Sequence, residues 1–203
     1  MPTRAGPEKV SRRDELIDAT IRVIGRKGLG GASIRAIAHE VGLTIGVVTH
    51  HFRDKSALLC AALEFCFRPW RELIETSRAI ADPAERLRHV MRQSVAPGSN
   101  PRPQMQVWLG MLSQIDIDPE VAEAYQKKYS QTRKDTVDLL HDCERQGLLA
   151  EGVVLEEAAA HLLSLGDGLL VSSVGEPGQF TASFIEKIMM AQVEALLRPR
   201  DQA

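Results

Sequence analysis

LTIGVVTHHFRDK, residues 43–55, decides the fold, because its two readings exclude each other. Thr44, Ile45, Val47, Val48 and Thr49 are branched at Cβ and favour a strand on local preference, since such side chains lose rotamer freedom in a helix. A strand needs a partner for its backbone hydrogen bonds, and the flanking sequence supplies none. Upstream, Ser11 and Asp14 form a capping pattern, and Leu16, Thr20, Val23 and Ile24 follow at helical spacing until Gly28. After the glycine-rich turn Gly28, Gly30, Gly31, Ser33 heads a second helix with Ile34, Ile37, Ala38 and Val41 on one face, closed by Gly42. The quoted stretch is therefore a short helix begun by Thr44. Asp54 opens the next, in which Leu58, Leu59, Ala62, Leu63 and Cys66 recur.

Pro69 predicts a kink or break before the pattern resumes from Trp70 to Ala81. Asp82-Pro83 reads as N-cap and first residue of a helix carrying Leu87, Val90 and Met91, and residues 96–103 form the clearest loop. Beyond lie a helix around Met105 to Ile115, a long one from Asp118-Pro119 to Gly147, and two apolar ones at about 155–174 and 181–197. No alternating strand pattern of useful length appears. The class is all-α, with about nine helices. Two domains are expected: a small three-helix one at 1–55, ordered from about residue 11, and a larger helical one at 56–203.

Composition fits that division. The chain of 203 residues is 44% apolar, enough for an ordinary core without staples. The net charge of -2 hides an asymmetry: residues 1–60 hold ten Lys/Arg against six Asp/Glu, and residues 61–203 hold 15 against 21. A small basic module joined to an acidic body suits nucleic-acid binding at one end. Three cysteines, Cys60, Cys66 and Cys143, cannot all pair within one chain, and no apolar stretch reads as a secretory signal or membrane span. A cytoplasmic location without membrane association is expected.

Three positions point to a helix-turn-helix. Ala38 allows close helix approach, Gly42 can take the left-handed backbone that reverses the chain, and Val48 plugs the second helix onto the first. The exposed side of the short helix then carries Thr44, Ile45, Gly46, Thr49 and His50. Short side chains let a recognition helix approach base edges in a major groove, and the methyl groups of Thr and Ile suit contact with thymine. Enzyme signatures fail: His39-Glu40 lacks a second histidine, since Leu43 stands in its place, and residues 28–31 lack the preceding strand and the Lys-Ser/Thr of a phosphate loop. His50 and His51, being consecutive, are expected on different sides of the helix, and the cysteines lack ligand spacing. No catalytic residue, metal or cofactor is expected. A helical ligand-binding or protein-interaction module without DNA binding is the alternative; duplex binding at low salt separates the two.

Residues 11–60 resemble the DNA-binding domain of TetR-family transcriptional regulators: RRDELIDATIRVIGRKG, ASIRAIAHEVG, LTIGVVTHHF and RDKSALL match in order. Gly42, Thr44 and Gly46 followed by His51, Phe52 and Lys55 carry the family's pattern. LIDAT, HHFRDK, VWLGML and GDGLL are loosely similar to the BetI-like branch, whose named members repress choline-to-betaine genes. The resemblance implies a ligand-responsive repressor binding palindromic double-stranded operator DNA as a homodimer. It places Ser33 and Arg35 at the DNA backbone, Thr44, Ile45, Gly46, Thr49 and His50 in the groove, and His51 and Lys55 at flanking phosphates. The family often has tyrosine at the position of Thr49, so that contact is expected to weaken or pass to His50. Phe52 is expected to pack between helices.

The resemblance also implies an effector pocket among the middle helices, where Trp70, Met105, Trp108, Met111, Leu112, Tyr125 and Tyr129 concentrate aromatic and thioether groups. Tryptophan and tyrosine suit a quaternary ammonium by cation–π attraction, although 4% aromatics leaves little material for a cage. The two last helices are apolar beyond one face, which predicts a four-helix dimer interface through Leu162, Gly166, Leu169, Leu170, Ile185, Ile188, Met189 and Val193.

Overall fold

The computed structural model describes residues 11–96 and 102–199. Both the expected onset of order near residue 11 and most of the 96–103 loop concern residues outside that range. Ten helices follow in order: α1 (Arg12–Gly31), α2 (Ile34–Glu40), α3 (Ile45–His51), α4 (Lys55–Cys66), α5 (Arg68–Ser77), α6 (Pro83–Ser94), α7 (Arg102–Leu112), α8 (Pro119–Arg145), α9 (Leu155–Gly175) and α10 (Ala182–Leu196). With α4 and α5 parted by Phe67 alone, the count is nine if they are taken as one broken helix. Among the described residues there is no strand, only an isolated bridge between Leu149 and Leu197. The all-α expectation holds.

The helix ends follow their signals. Ser11 Oγ accepts from the Asp14 amide, Ser33 Oγ from Ala36, and Asp82 from Ala84 and Glu85. Gly28 leaves the helical region inside α1 with φ 68°, the stop its position predicts, although one further helical turn runs to Gly31. The break at Phe67 falls two residues before Pro69 because a proline ring collides with the carbonyl four residues back and offers no amide to continue the ladder.

Two compact units divide the chain: Met1–Cys66 with Pro103–Tyr125, and Phe67–Arg102 with Gln126–Ala203. This division differs from a boundary at 55/56. In the first unit α1 packs against both α2 and α4, and Leu58, Leu59, Ala62 and Leu63 of α4 are buried with Leu16, Ile24 and Ile37. Three short helices alone bury too little surface, so α4 completes their core. α7 closes on the same unit at two glycines. A Cβ on Gly25 would lie 3.2 Å from Pro103, and one on Gly110 3.3 Å from Leu29.

The second unit is built on Leu87, Val90, Met91, Leu140, Cys143, Leu162, Leu169, Ile185, Met189 and Val193. Arg88 of α6 grips Glu194 of α10 through two parallel hydrogen bonds of 2.7 and 2.8 Å. The packing puts most of the residues expected at a dimer surface inside a single chain. Leu162, Gly166, Leu169, Ile185, Met189 and Val193 are buried within their own chain, with the Met189 methyl 3.4 Å from where a Gly166 Cβ would stand. Leu170 and Ile188 remain half-buried. Apolar periodicity marks a buried face without saying whether the chain or a second copy buries it.

Candidate nucleic-acid interface and effector site

The turn between α2 and α3 is built by Gly42. Its φ of 66° lets the Leu43 amide reach back to Ala38 O at 2.8 Å and the Gly42 amide to His39 O at 3.2 Å. This paired closure ends α2 and reverses the chain, and a Cβ would be strained in that left-handed region. Ala38 and Val48 are buried where the two helices meet, and Phe52 is buried beyond them. One expectation is corrected here: Thr44 occupies the N-cap position of α3, but its side chain makes no capping bond. Backbone amides of Val47 and Val48 bond to its carbonyl instead, so packing holds the helix.

With Val48 inside, Thr44, Ile45, Gly46, Thr49 and His50 are exposed together, Ile45 to 44%. An exposed isoleucine beside open backbone at Gly46 is a surface waiting for an apolar contact. Thr49 donates its hydroxyl to the carbonyls of Ile45 and Gly46, at 3.2 Å each, leaving a methyl and oxygen lone pairs for a partner. His50 and His51 do not stand apart as helical spacing suggested: their rings meet edge-on with centroids 5.3 Å apart. Both lie in the last turn of α3. Among the described residues no group of three potential metal ligands occurs.

At the start of α2, Ser33 and Arg35 are exposed and the first turn holds no acid. Ser33 accepts a cap bond from Ala36 at 3.1 Å, which leaves its hydroxyl proton for a phosphate. Behind α2, Arg22 and Arg26 hold Glu40, and the hydrogen bond from Arg26 is the main reason its carboxyl sits below the ordinary range. Lys55, expected among the phosphate contacts, donates its Nζ to Leu29 O at 3.3 Å, within the turn that ends α1. Two arginines that the sequence reading passed over stand nearer the interface. Arg13 lies 5.1 Å from the centre of the Phe52 ring, and Arg53 follows Phe52 with 63% of its side chain exposed. The alternation of buried Phe52 with exposed neighbours was the available signal for Arg53.

The seven expected pocket residues divide between the units. In the first, Met105 and Met111 are buried, Trp108 and Tyr125 are half-buried, and Leu112 is 39% exposed, so Leu112 does not share the buried side. In the second, the Trp70 indole donates to Asp135 at 2.9 Å, and the other oxygen of Asp135 accepts from Gln131 at 2.8 Å. That pairing ties α5 to α8. The Tyr129 hydroxyl donates to Asp167 of α9 at 2.6 Å, and Arg133 lies over the Tyr129 ring at 6.0 Å. Burial pushes the Asp167 carboxyl up, with the Tyr129 bond pulling it partly back. Two threonines of α8, Thr132 and Thr136, are buried with their hydroxyls bonded to the helix's own carbonyls. In the first unit the side-chain oxygen of Gln104 is buried without a donor. Within the second unit, Asp167 is thus an acceptor that a ligand's donor or positive charge would satisfy.

Residues 16–62 match the profile "Bacterial regulatory proteins, tetR family", and residues 83–198 match "BetI-type transcriptional repressor, C-terminal". The chain is similar to the HTH-type transcriptional regulator BetI of Burkholderia thailandensis, at 30% identity across 93% of this chain and 95% of that protein. Among solved structures, a transcriptional regulator from Rhodococcus is similar with TM-score 0.77 and 26% identity, over 92% of this chain and 96% of that one. A transcriptional regulator from Saccharomonospora viridis, solved in complex with choline, superposes with TM-score 0.82 at 22% identity, over 92% and 98%. The chain belongs to the tetR family of bacterial regulatory proteins, as a DNA-binding transcriptional repressor with a BetI-type, effector-binding C-terminal domain.

Proposed function

We propose that two copies of this chain bind a palindromic double-stranded operator in the cytoplasm through paired α3 helices, and release it when a small organic cation occupies the C-terminal domain. The α3 surface carries the DNA half of this reading: the short or methyl-bearing Thr44, Ile45, Gly46 and Thr49 are exposed together with His50, while Val48 and Phe52 anchor the helix from behind. The contacts assigned are Ser33 and Arg35 on the backbone, Thr44, Ile45, Gly46, Thr49 and His50 in the groove, and His51 beside it. The protein acts by binding rather than catalysis. Half-sites lie ~34–36 Å apart, or multiples of that, so a ligand that changes the separation of two recognition helices changes affinity. Such a ligand must bind the two states unequally.

A cationic effector is supported by Asp167, whose carboxylate is partly buried and is met by the Tyr129 hydroxyl rather than by a positive charge. The BetI-type match and the choline-bound structural neighbour make choline the first compound to test. Calorimetric titration with choline and with its neutral isostere 3,3-dimethylbutanol separates charge from shape. Binding of choline alone supports the cation reading; equal binding of both, or of the neutral compound only, rejects it. Selection of bound fragments from genomic DNA identifies the operator, and a selected site without two-fold symmetry would refute the palindromic reading.

α9 supports the dimer. The helix is apolar along its length, yet most of its residues are not buried within the chain. The residues left outward include Ala160, Ser164, Gly168 and Val171, a stripe at helical spacing that lets a second helix approach closely.

A further inference from the structure

The far end of the recognition helix is fastened to α8. Arg53 is held by two carboxylates: its Nε donates to Asp54 at 3.0 Å, and its Nη2 donates to Glu120. Glu120 lies in the first turn of α8, 67 residues further along the chain. Two more contacts join the same segments. Ser56 donates its hydroxyl to Asp118, and Cys60 Sγ donates to Glu120 O at 3.7 Å. Asp118 caps α8, accepting from the Glu120 amide at 3.1 Å and the Val121 amide at 3.3 Å. A helix N-terminus favours negative charge, so both carboxylates are stable there with or without Arg53.

The Glu120 carboxylate and a DNA phosphate are alternative anions for one guanidinium, since both accept its parallel N–H groups. The position of Arg53 makes the phosphate relevant: it leaves α3 beside His50 and His51, on the exposed side of the chain from Phe52. Lys55, the next cation along, is turned to Leu29 O. Building on the DNA-binding function, we propose that Glu120 is an internal competitor that withholds Arg53 from an operator phosphate, making the first turn of α8 a brake on DNA affinity. α8 is one unbroken helix that belongs to the reading unit up to Tyr125 and to the unit holding Tyr129 from Gln126 onward.

The test measures binding of the full-length protein to a random-sequence duplex by fluorescence anisotropy over a salt series. Phosphate contacts do not depend on sequence, so no operator is needed. Glu120→Gln is expected to bind more tightly than wild type, with the slope of log K against log salt steeper by about 0.9, the signature of one added phosphate contact. Glu123→Gln removes the same charge one turn later, at an exposed position, and is expected to leave the slope unchanged. In a chain that already carries Arg53→Gln, adding Glu120→Gln is expected to change neither affinity nor slope. The proposal is overturned by an unchanged slope in Glu120→Gln, by an equal gain in Glu123→Gln, or by a gain that persists without Arg53. A wild-type chain that does not bind the duplex at low salt would remove the DNA-binding function itself, and the brake with it.

Discussion

At Asp167 the cost of burying a carboxylate is only partly offset. Burial favours the protonated form, and the Tyr129 hydroxyl at 2.6 Å recovers some of the lost hydration. Because the folded value is raised above the ordinary 3.8, the folded chain binds more protons than the unfolded one between the two values. Stability therefore falls as pH rises through that window, and at neutral pH the ionised group is a net liability. Asp167→Asn keeps an acceptor for Tyr129 and removes the charge. It should raise the effector-free melting temperature by a few degrees at neutral pH, with the gain fading below the window. Thermal melts at both ends of the window check this; an unchanged or lower midpoint at neutral pH would show that the carboxylate is already well accommodated. A cationic effector reverses the balance, since it favours the ionised form, so its affinity should rise with pH over the same window. None of this was visible in the sequence. An acid between two glycines on an apolar helix reads as a solvent-facing residue, and its burial depends on Tyr129, 38 positions earlier.

At the scale of the element, α3 is a helix of seven residues formed against local preference. Its stability comes from Val48 and Phe52 in the core, while the cap position contributes no side-chain bond. The two sources predict opposite outcomes for two substitutions. Val48→Ala should cost about 2 kcal/mol, combining lost apolar burial with a residual cavity. Thr44→Ala should cost much less than the ~1 kcal/mol of an ordinary N-cap. Chemical denaturation gives both values, and a full cap penalty at Thr44 would contradict the packing account. The elements themselves were legible because their determinants are local. Ala38, Gly42 and Val48 lie within eleven positions, and the backbone bonds from Gly42 and Leu43 follow from one left-handed residue. What no local pattern shows is set by distant partners. Lys55 fits the family's phosphate position by spacing, yet the carbonyl it meets is on α1, 26 residues back. The unit boundary at Cys66 likewise depends on α4 packing against α1, which no local pattern reports.

For the whole molecule, the decisive balance lies on α9. Its inward face is fully used: Leu162 and Leu169 are buried in the same chain. Its outward face keeps Val171 at 42% exposure in line with Ala160, Ser164 and Gly168. A Cβ added at Gly168 meets nothing within 4 Å, and the position is exposed, so a side chain there has open space in the single chain. Replacing a mid-helix glycine even adds roughly 1 kcal/mol of helix stability. Against a second copy the same side chain stands where two helices must come close, and an arginine there also carries charge into an apolar contact. Gly168→Arg should therefore sediment as one chain at concentrations where wild type sediments as two, with its helical signal intact. On an isolated half-site the variant should bind much as one wild-type subunit does. On a palindrome it should lose the gain from linking two half-sites, which in tethered systems reaches about 10²-fold or more. A variant that still sediments as a dimer would place the interface elsewhere. A wild-type chain that is monomeric at micromolar concentration would reject the dimer, and the two-fold operator that depends on it.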